Sequence, residues 1–182
     1  MSNSRDYLLD TNMLGHIAAA NAGSTLPEDL RVAQRLELIR QSVGRKIFIC
    51  AVTVGEVEYG LQVAPTVDHA RQTNVRKVLY SFDQSTVLNV DQNVAKASYA
   101  NLRAALFQKF ADKDAKGRAK KRYVGDWRNP ATQKELGIQE NDLWIASVAM
   151  TYNLTLVTAD KMTNIKQAAS GLPLHMENWL VP

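Results

Sequence analysis

The chain has 182 residues, 46% hydrophobic and 22% charged. This is a normal globular make-up, long enough for one domain around a sizeable core, and it excludes disordered, collagen-like and coiled-coil chains. Twenty-two Lys and Arg against 18 Asp and Glu give a net charge of +4, a weak pointer toward a polyanionic partner.

Taken in chain order, Met1 to Asp6 carries no apolar run of the kind a secretory signal needs. Tyr7-Leu8-Leu9 is a short apolar strand ending at Asp10, and Met13 to Ala20 continues as an alanine-rich helix, so a strand-to-helix turn falls at Asp10-Thr11-Asn12. Glu28 to Val43 carries Val32, Leu36, Ile39 and Val43 on one helical face. Leu30 and Leu38 lie off that stripe and offer a candidate contact surface. Ile47 to Val52 is the longest apolar run, far short of the roughly 18 residues of a membrane span, and reads as a buried strand. Cys50 lies inside it without a second cysteine in the chain, which excludes an internal disulfide and fits a reduced, cytoplasmic setting with no membrane association. Thr53 to Val63 and Val67 to Phe82 read as helices, Thr86 to Val90 as a strand, and the residues from Asp91 to Phe110 as a long helix. A basic segment interrupts the pattern. Asp142 to Tyr152 is then a helix, Leu154 to Val157 a strand, and Leu172 to Met176 a last strand. Strands separated by helices imply βαβ units, hence an α/β domain with a mostly parallel central sheet flanked by helices on both faces. No linker separates two cores, so residues 1–182 read as one domain with a basic insertion at about 109–136.

Four acids occupy comparable places in this alternation: Asp10 after the first strand, Glu56 in the helix after the second, Asp142 at a helix start and Asp160 after the Leu154 to Val157 strand. Strand C-terminal ends in a parallel sheet share one edge, where ligands bind. Each acid alone has a structural explanation. Asp10 can cap a helix, Thr53-Val54-Gly55-Glu56 matches a capping box, Asn141-Asp142 can be a cap, and Asp160 can be a turn residue. Together they need compensation, since two carboxylates about 4 Å apart repel by about 4 kcal/mol at an effective dielectric near 20. A hard divalent cation, Mg²⁺ or Mn²⁺, removes that cost and suits an all-oxygen donor set. Such a centre can activate water against a phosphodiester. His16, His69 and His175 show no ligand spacing, and no phosphate-binding glycine loop or serine elbow is present. Glu58 lies about 200° around its helix from Glu56 and should face away. Trp144 reads as a packing residue.

These residues are also similar to a known family. Tyr7 to Asn12, Val52 to Gly60, Asn141 to Ala146, Leu156 to Asp160 and the closing Glu177-Asn178-Trp179 resemble, in order and in local sequence, PIN-domain ribonucleases, particularly VapC-type toxins of toxin-antitoxin modules. The resemblance spans Tyr7 to Trp179. It implies a three-layer PIN-like fold and a metal-dependent endoribonuclease whose acidic quartet, both catalytic and metal-binding, corresponds to Asp10, Glu56, Asp142 and Asp160. Thr11, Asn12 and Thr158 correspond to supporting polar residues. It further implies an RNA substrate, Mg²⁺ or Mn²⁺, a homodimer and a cognate antitoxin. Thr163-Asn164 stands where many members carry Asp-Phe, which leaves Asp160 the only acid in that loop.

Between Lys109 and Lys134, nine basic residues face three acidic ones, a net of +6. Within this segment Lys116, Arg118, Lys120, Lys121, Arg122 and Arg128 are candidate RNA contacts, with Tyr123 and Trp127 available for base stacking. The segment reads as an inserted loop too charged to enter the core. Two other readings remain open from the residues: a PIN-like RNA-binding module without catalysis, and a haloacid-dehalogenase-like phosphatase, which would want Asp rather than Asn12 two residues after Asp10.

Overall fold

In a computed structural model describing residues 5–130 and 132–181, Tyr7–Leu9 forms the middle strand, β1, of a five-stranded parallel sheet. Ile47–Cys50 (β2) and Val87–Leu88 (β3) extend it on one side, and Thr155–Val157 (β4) and His175–Glu177 (β5) on the other. The spatial order is β3-β2-β1-β4-β5. Tyr7 pairs with both Ile47 and Thr155, and Thr155 in turn with His175. The chain moves outward from β1 to β3, then returns to the far side of β1 for β4. Strand order therefore reverses between β1 and β4, the position at which open parallel sheets form a crevice at their C-terminal edge. Residues 1–4, on which part of the signal-peptide argument falls, lie outside the described residues.

The two-residue period of the strands divides the apolar side chains between two faces. Tyr7, Leu9, Ile47, Ile49 and Val157 pack with Thr11–Asn21 (α1), Pro27–Gln41 (α2) and Thr66–Leu79 (α4). Leu8, Cys50 and Leu156 pack with Ala100–Phe110 (α5), Glu140–Thr151 (α6) and Thr163–Ala168 (α7). The remaining helix, α3, is Ala51–Val63 and begins directly at the end of β2. The expected α/β architecture with helices on both faces is thus present, with a core on each face rather than a single one.

Boundaries shift by a few residues. The strand at Ile47 stops at Cys50, because α3 starts there, and the last strand lies at His175–Glu177 rather than Leu172 to Met176. The long helix after Asp91 opens with a wider π-turn, Val94–Tyr99, and continues as α5.

The larger correction concerns the basic segment. Its lysines and arginines are exposed, but Val124, Trp127, Leu136 and Ile138 are buried among α5 and α6 residues. Trp127 packs edge to face on Phe107 and donates its indole N–H to the Lys121 carbonyl at 2.9 Å. Trp127 is therefore a core residue and unavailable to stack on bases, whereas Tyr123 is 63% exposed. Val124 and Trp127 stand three apart and Leu136 and Ile138 two apart, pairs too short to establish a helical or strand period, so periodicity could not reveal them.

Candidate active site

Asp10 occupies the turn between β1 and α1, where its backbone N–H donates to the Val157 carbonyl at 2.9 Å and ties the end of β1 to the end of β4. Its side chain does cap α1, accepting the Thr11 N–H at 2.7 Å. That role uses only one oxygen. The other accepts the Thr158 hydroxyl at 2.7 Å and the Asn12 amide at 3.0 Å. Asn12 also donates to Asp160 at 3.0 Å and to Thr158 at 3.2 Å, and its carbonyl accepts the Ala159 N–H at 3.1 Å. One asparagine thus fastens the two strand ends at the switch point. Asn12 gives Asp10 an amide where a phosphatase of the haloacid-dehalogenase type would have a second carboxylate.

Glu56 reaches the same region from α3. The expected capping box does not form: α3 begins at Ala51, and the Thr53 hydroxyl lies 3.6 Å from the Cys50 thiol. Glu56 instead accepts the Thr11 hydroxyl on one oxygen and the Asn141 amide, at 2.7 Å, on the other. Asn141, read from sequence only as a cap, is a supporting residue of this site. Asp142, at the third position of α6, accepts the Gln139 N–H at 3.3 Å as half of a capping box with Gln139. Asp160 follows β4, its N–H donating to the Thr158 hydroxyl at 3.0 Å.

All four acids line one cleft of about 790 Å³. Asp142 and Asp160 also border a second groove, between Leu136–Gln139 and the start of α7. Burial is the main force raising the Asp10 carboxyl above its ordinary value, opposed by hydrogen bonds from Thr158 and Thr11 and reinforced by the charges of Glu56 and Asp160. Asp142 is pushed up to about 6, first by burial, against the Gln139 N–H, and further by Asp10, Asp160 and Glu56. The carboxylates therefore act on one another, and among the described residues no Lys, Arg or His forms an ion pair with any of them.

No three His, Cys, Asp or Glu side chains among the described residues stand close enough to form a ready-made metal cage. The donor chemistry nonetheless fits a hard divalent cation: uncompensated carboxylates, hydroxyls and amides line an open cleft that leaves room for bound water. Asp10, Glu56, Asp142 and Asp160 are the residues that could hold it.

Other expectations resolve plainly. Glu58 turns away to Arg76 and Tyr80, at 2.7 and 2.8 Å. Trp144 stacks on Tyr99 with ring centres 3.7 Å apart. The Cys50 thiol is fully buried, and that burial pushes its pKa up. Lys116, Arg118, Lys120, Lys121, Arg122 and Arg128 are all exposed and none lines the acidic cleft. Lys121 and Arg128 border a separate cavity of about 560 Å³, while Lys120 pairs with Asp112 at 3.0 Å and Arg128 with Glu135 at 3.8 Å. His16, which spacing alone left unassigned, lines the acidic cleft.

Among solved structures, the chain is similar to VapBC2 from Rickettsia felis, solved bound to a promoter DNA fragment, at 23% identity and a TM-score of 0.60 over 95% of this chain and 98% of that one. It is similar to DNA-bound VapBC from Salmonella typhimurium at 18% identity and a TM-score of 0.61, covering 97% and 99%. It is also similar to VapBC-5 from Mycobacterium tuberculosis, a member of the VapBC family of toxin-antitoxin systems, at 20% identity and a TM-score of 0.55, covering 96% and 98%. At such identities the likeness is one of fold. No curated protein matches the chain. The PIN domain family matches residues 7–169, a span containing all four acids, and the chain belongs to that family.

Proposed function

We propose that the chain is a metal-dependent endoribonuclease that hydrolyses RNA phosphodiester bonds and acts as the toxin of a toxin-antitoxin pair. The observation that carries this reading is the convergence of Asp10, Glu56, Asp142 and Asp160, from four separate elements, on one cleft at the strand switch point. The family membership supports the nuclease class, and the toxin-antitoxin neighbours support the biological role.

A divalent cation bound there, Mg²⁺ or Mn²⁺, supplies activation of a water and neutralises charge on the phosphoryl group. The chain's own contribution is orientation. Thr158 and Asn12 fix one oxygen of Asp10, Thr11 and Asn141 fix both oxygens of Glu56, and Asn12 restrains Asp160. Hydrogen-bonded supports of this kind hold ligating carboxylates in one geometry. The exposed basic residues from Lys116 to Arg128 would add phosphate contacts outside the cleft. A cognate antitoxin, a homodimer and a cytoplasmic setting complete the proposal. No helix among the described residues is long and apolar enough to cross a membrane.

The test is cleavage of a mixed RNA pool by wild type and Asp10→Asn, each with Mg²⁺ or Mn²⁺ and each with EDTA. Cleavage by wild type with metal alone is expected. Intact RNA in every arm, from folded protein free of antitoxin, would favour the non-catalytic RNA-binding reading if RNA affinity persists. For the toxin role, growth arrest on expression should be relieved by the product of a small adjacent reading frame, and size-exclusion chromatography should show a dimer.

A further inference from the structure

The cleft that holds the four acids has a second pole. On α1, Asn12, Gly15, His16 and Ala19 recur at helical spacing and all line it. Gly15 keeps this wall open, with nothing within 4 Å of where a Cβ would stand. His16 Nδ1 lies 2.6 Å from Oδ1 of Asp29 in the first turn of α2, and the other oxygen of Asp29 accepts the Ser24 hydroxyl. Asp29 is only 4% exposed and pairs with no Lys or Arg among the described residues. Burial opposes its ionisation, yet the hydrogen bonds from Ser24 and His16 hold its carboxyl below the ordinary range.

A buried carboxylate is costly to fold around, and here its two oxygens serve one loop hydroxyl and one imidazole. The ring is thereby fixed through Nδ1. Its Nε2 has no hydrogen-bond partner among the described residues, and the side chain keeps 26% exposure in a cleft wall. On the α3–α4 side, Arg71 also lines the cleft, is exposed, and forms no ion pair among the described residues. The cleft is therefore anionic at the strand ends and offers a fixed imidazole and a guanidinium elsewhere along its wall. A polyanionic strand crossing it would need both: a cation among the carboxylates for one phosphate, and donors for the next. Because Nδ1–H is already given to Asp29, His16 donates to a phosphate through Nε2 as the imidazolium, with Asp29 as its counter-charge.

We infer that His16, oriented by Asp29, and Arg71 form a phosphate-binding subsite that holds the RNA backbone beside the carboxylate centre. This rests on the ribonuclease reading above. His16 and Arg71 are then substrate-binding residues, and Asp29 is a positioning residue acting through His16. The competing role for the pair is a tie between α1 and α2.

Fluorescence anisotropy with a short single-stranded RNA, in EDTA and over a series of salt concentrations, separates the two because it requires no turnover. His16→Gln and Arg71→Gln should each weaken binding about tenfold, the loss expected for one charge-assisted hydrogen bond. Arg71→Gln should also lower the salt slope by about one. With Mg²⁺, both should raise KM for cleavage more than they lower kcat. Asp29→Asn should weaken binding less than His16→Gln does. A His16→Gln protein with a lower Tm but unchanged affinity and KM overturns the subsite and leaves a structural tie. Arg71→Gln, at an exposed position, keeps the test open should His16→Gln fail to fold, and wild-type affinity in that variant also overturns it. In either case, RNA cleavage by wild type leaves the ribonuclease reading standing. Wild-type protein that neither binds nor cleaves RNA overturns both.

Discussion

The acidic cleft and the basic segment are opposite solutions to placing charge on one fold. In the cleft, four carboxylates are drawn together by the turns after β1 and β4, the second turn of α3 and the start of α6, and hydroxyls and amides stand between them. In the segment, like charges are spread over an exposed surface, partly neutralised by Asp112 and Glu135, and anchored from beneath by four buried apolar residues. Charge in the first region is concentrated at a cost in stability, whereas charge in the second is dispersed at little cost. A concentration of carboxylates that no Lys, Arg or His among the described residues pairs with points to a task beyond folding.

That contrast can be broken most sharply at Asp10. Asp10→Asn should keep the fold and lower metal-dependent RNA cleavage by at least about a hundredfold, in the range seen when a preorganised catalytic group is removed. Full cleavage by the folded variant would remove the centre from the chemistry. In the basic segment the largest effect should come from an uncharged residue: Trp127→Ala should destabilise the protein by about 3–5 kcal/mol, measured by urea unfolding. A loss under 1 kcal/mol would mean that the segment is not anchored as described.

A smaller effect follows from Asp142. Its folded-state pKa of about 6 lies above the ordinary value of 3.8, so the folded protein binds more protons between those values and its stability falls as pH rises from about 4 through 6. Solvent screening at this half-buried position limits the loss to about 1–2 kcal/mol. Asp142→Asn should flatten the profile and be the more stable protein at pH 7 without metal, and Mg²⁺ or Mn²⁺ should raise the Tm of wild type but not of Asp10→Asn. A flat wild-type profile would show that neither burial nor the neighbouring carboxylates raise the pKa of Asp142. Smallest of all, replacing Lys116, Arg118 and Lys120 with Gln should move stability by less than about 0.5 kcal/mol and lower the salt slope of RNA binding. An unchanged slope would make the segment a merely solvated surface.

The parts of the molecule legible from sequence are those whose signal is local. Strand-helix alternation, the turn at Asp10 and the positions of Asp160 after its strand, of Glu56 in the helix after its strand and of Asp142 at a helix start all follow from neighbouring residues, and the sheet edge then brings them together. What stayed hidden depends on partners far away in the chain. Asn141 supports Glu56 across 85 residues, and the Val124, Trp127, Leu136 and Ile138 anchors sit in a stretch without period. His16 and Asp29, only 13 residues apart, were hidden for a different reason: each fits its own helix, and only the packing of α1 on α2 shows that one orients the other.

The bonds from Asn12 and Asp10 to Thr158 and Asp160 join positions 146 to 148 apart in the chain, and β4 is the strand that flanks β1 on the acidic side. During synthesis Asp10 emerges 148 residues before Thr158, its hydrogen-bond partner just past the strand that completes its surroundings. No N-terminal fragment ending before β4 has Thr158 or Asp160 beside Asp10. A product terminated before β4 therefore lacks the assembled cleft, and the chemistry this fold supports becomes available only once β4 and the loop carrying Asp160 have been made.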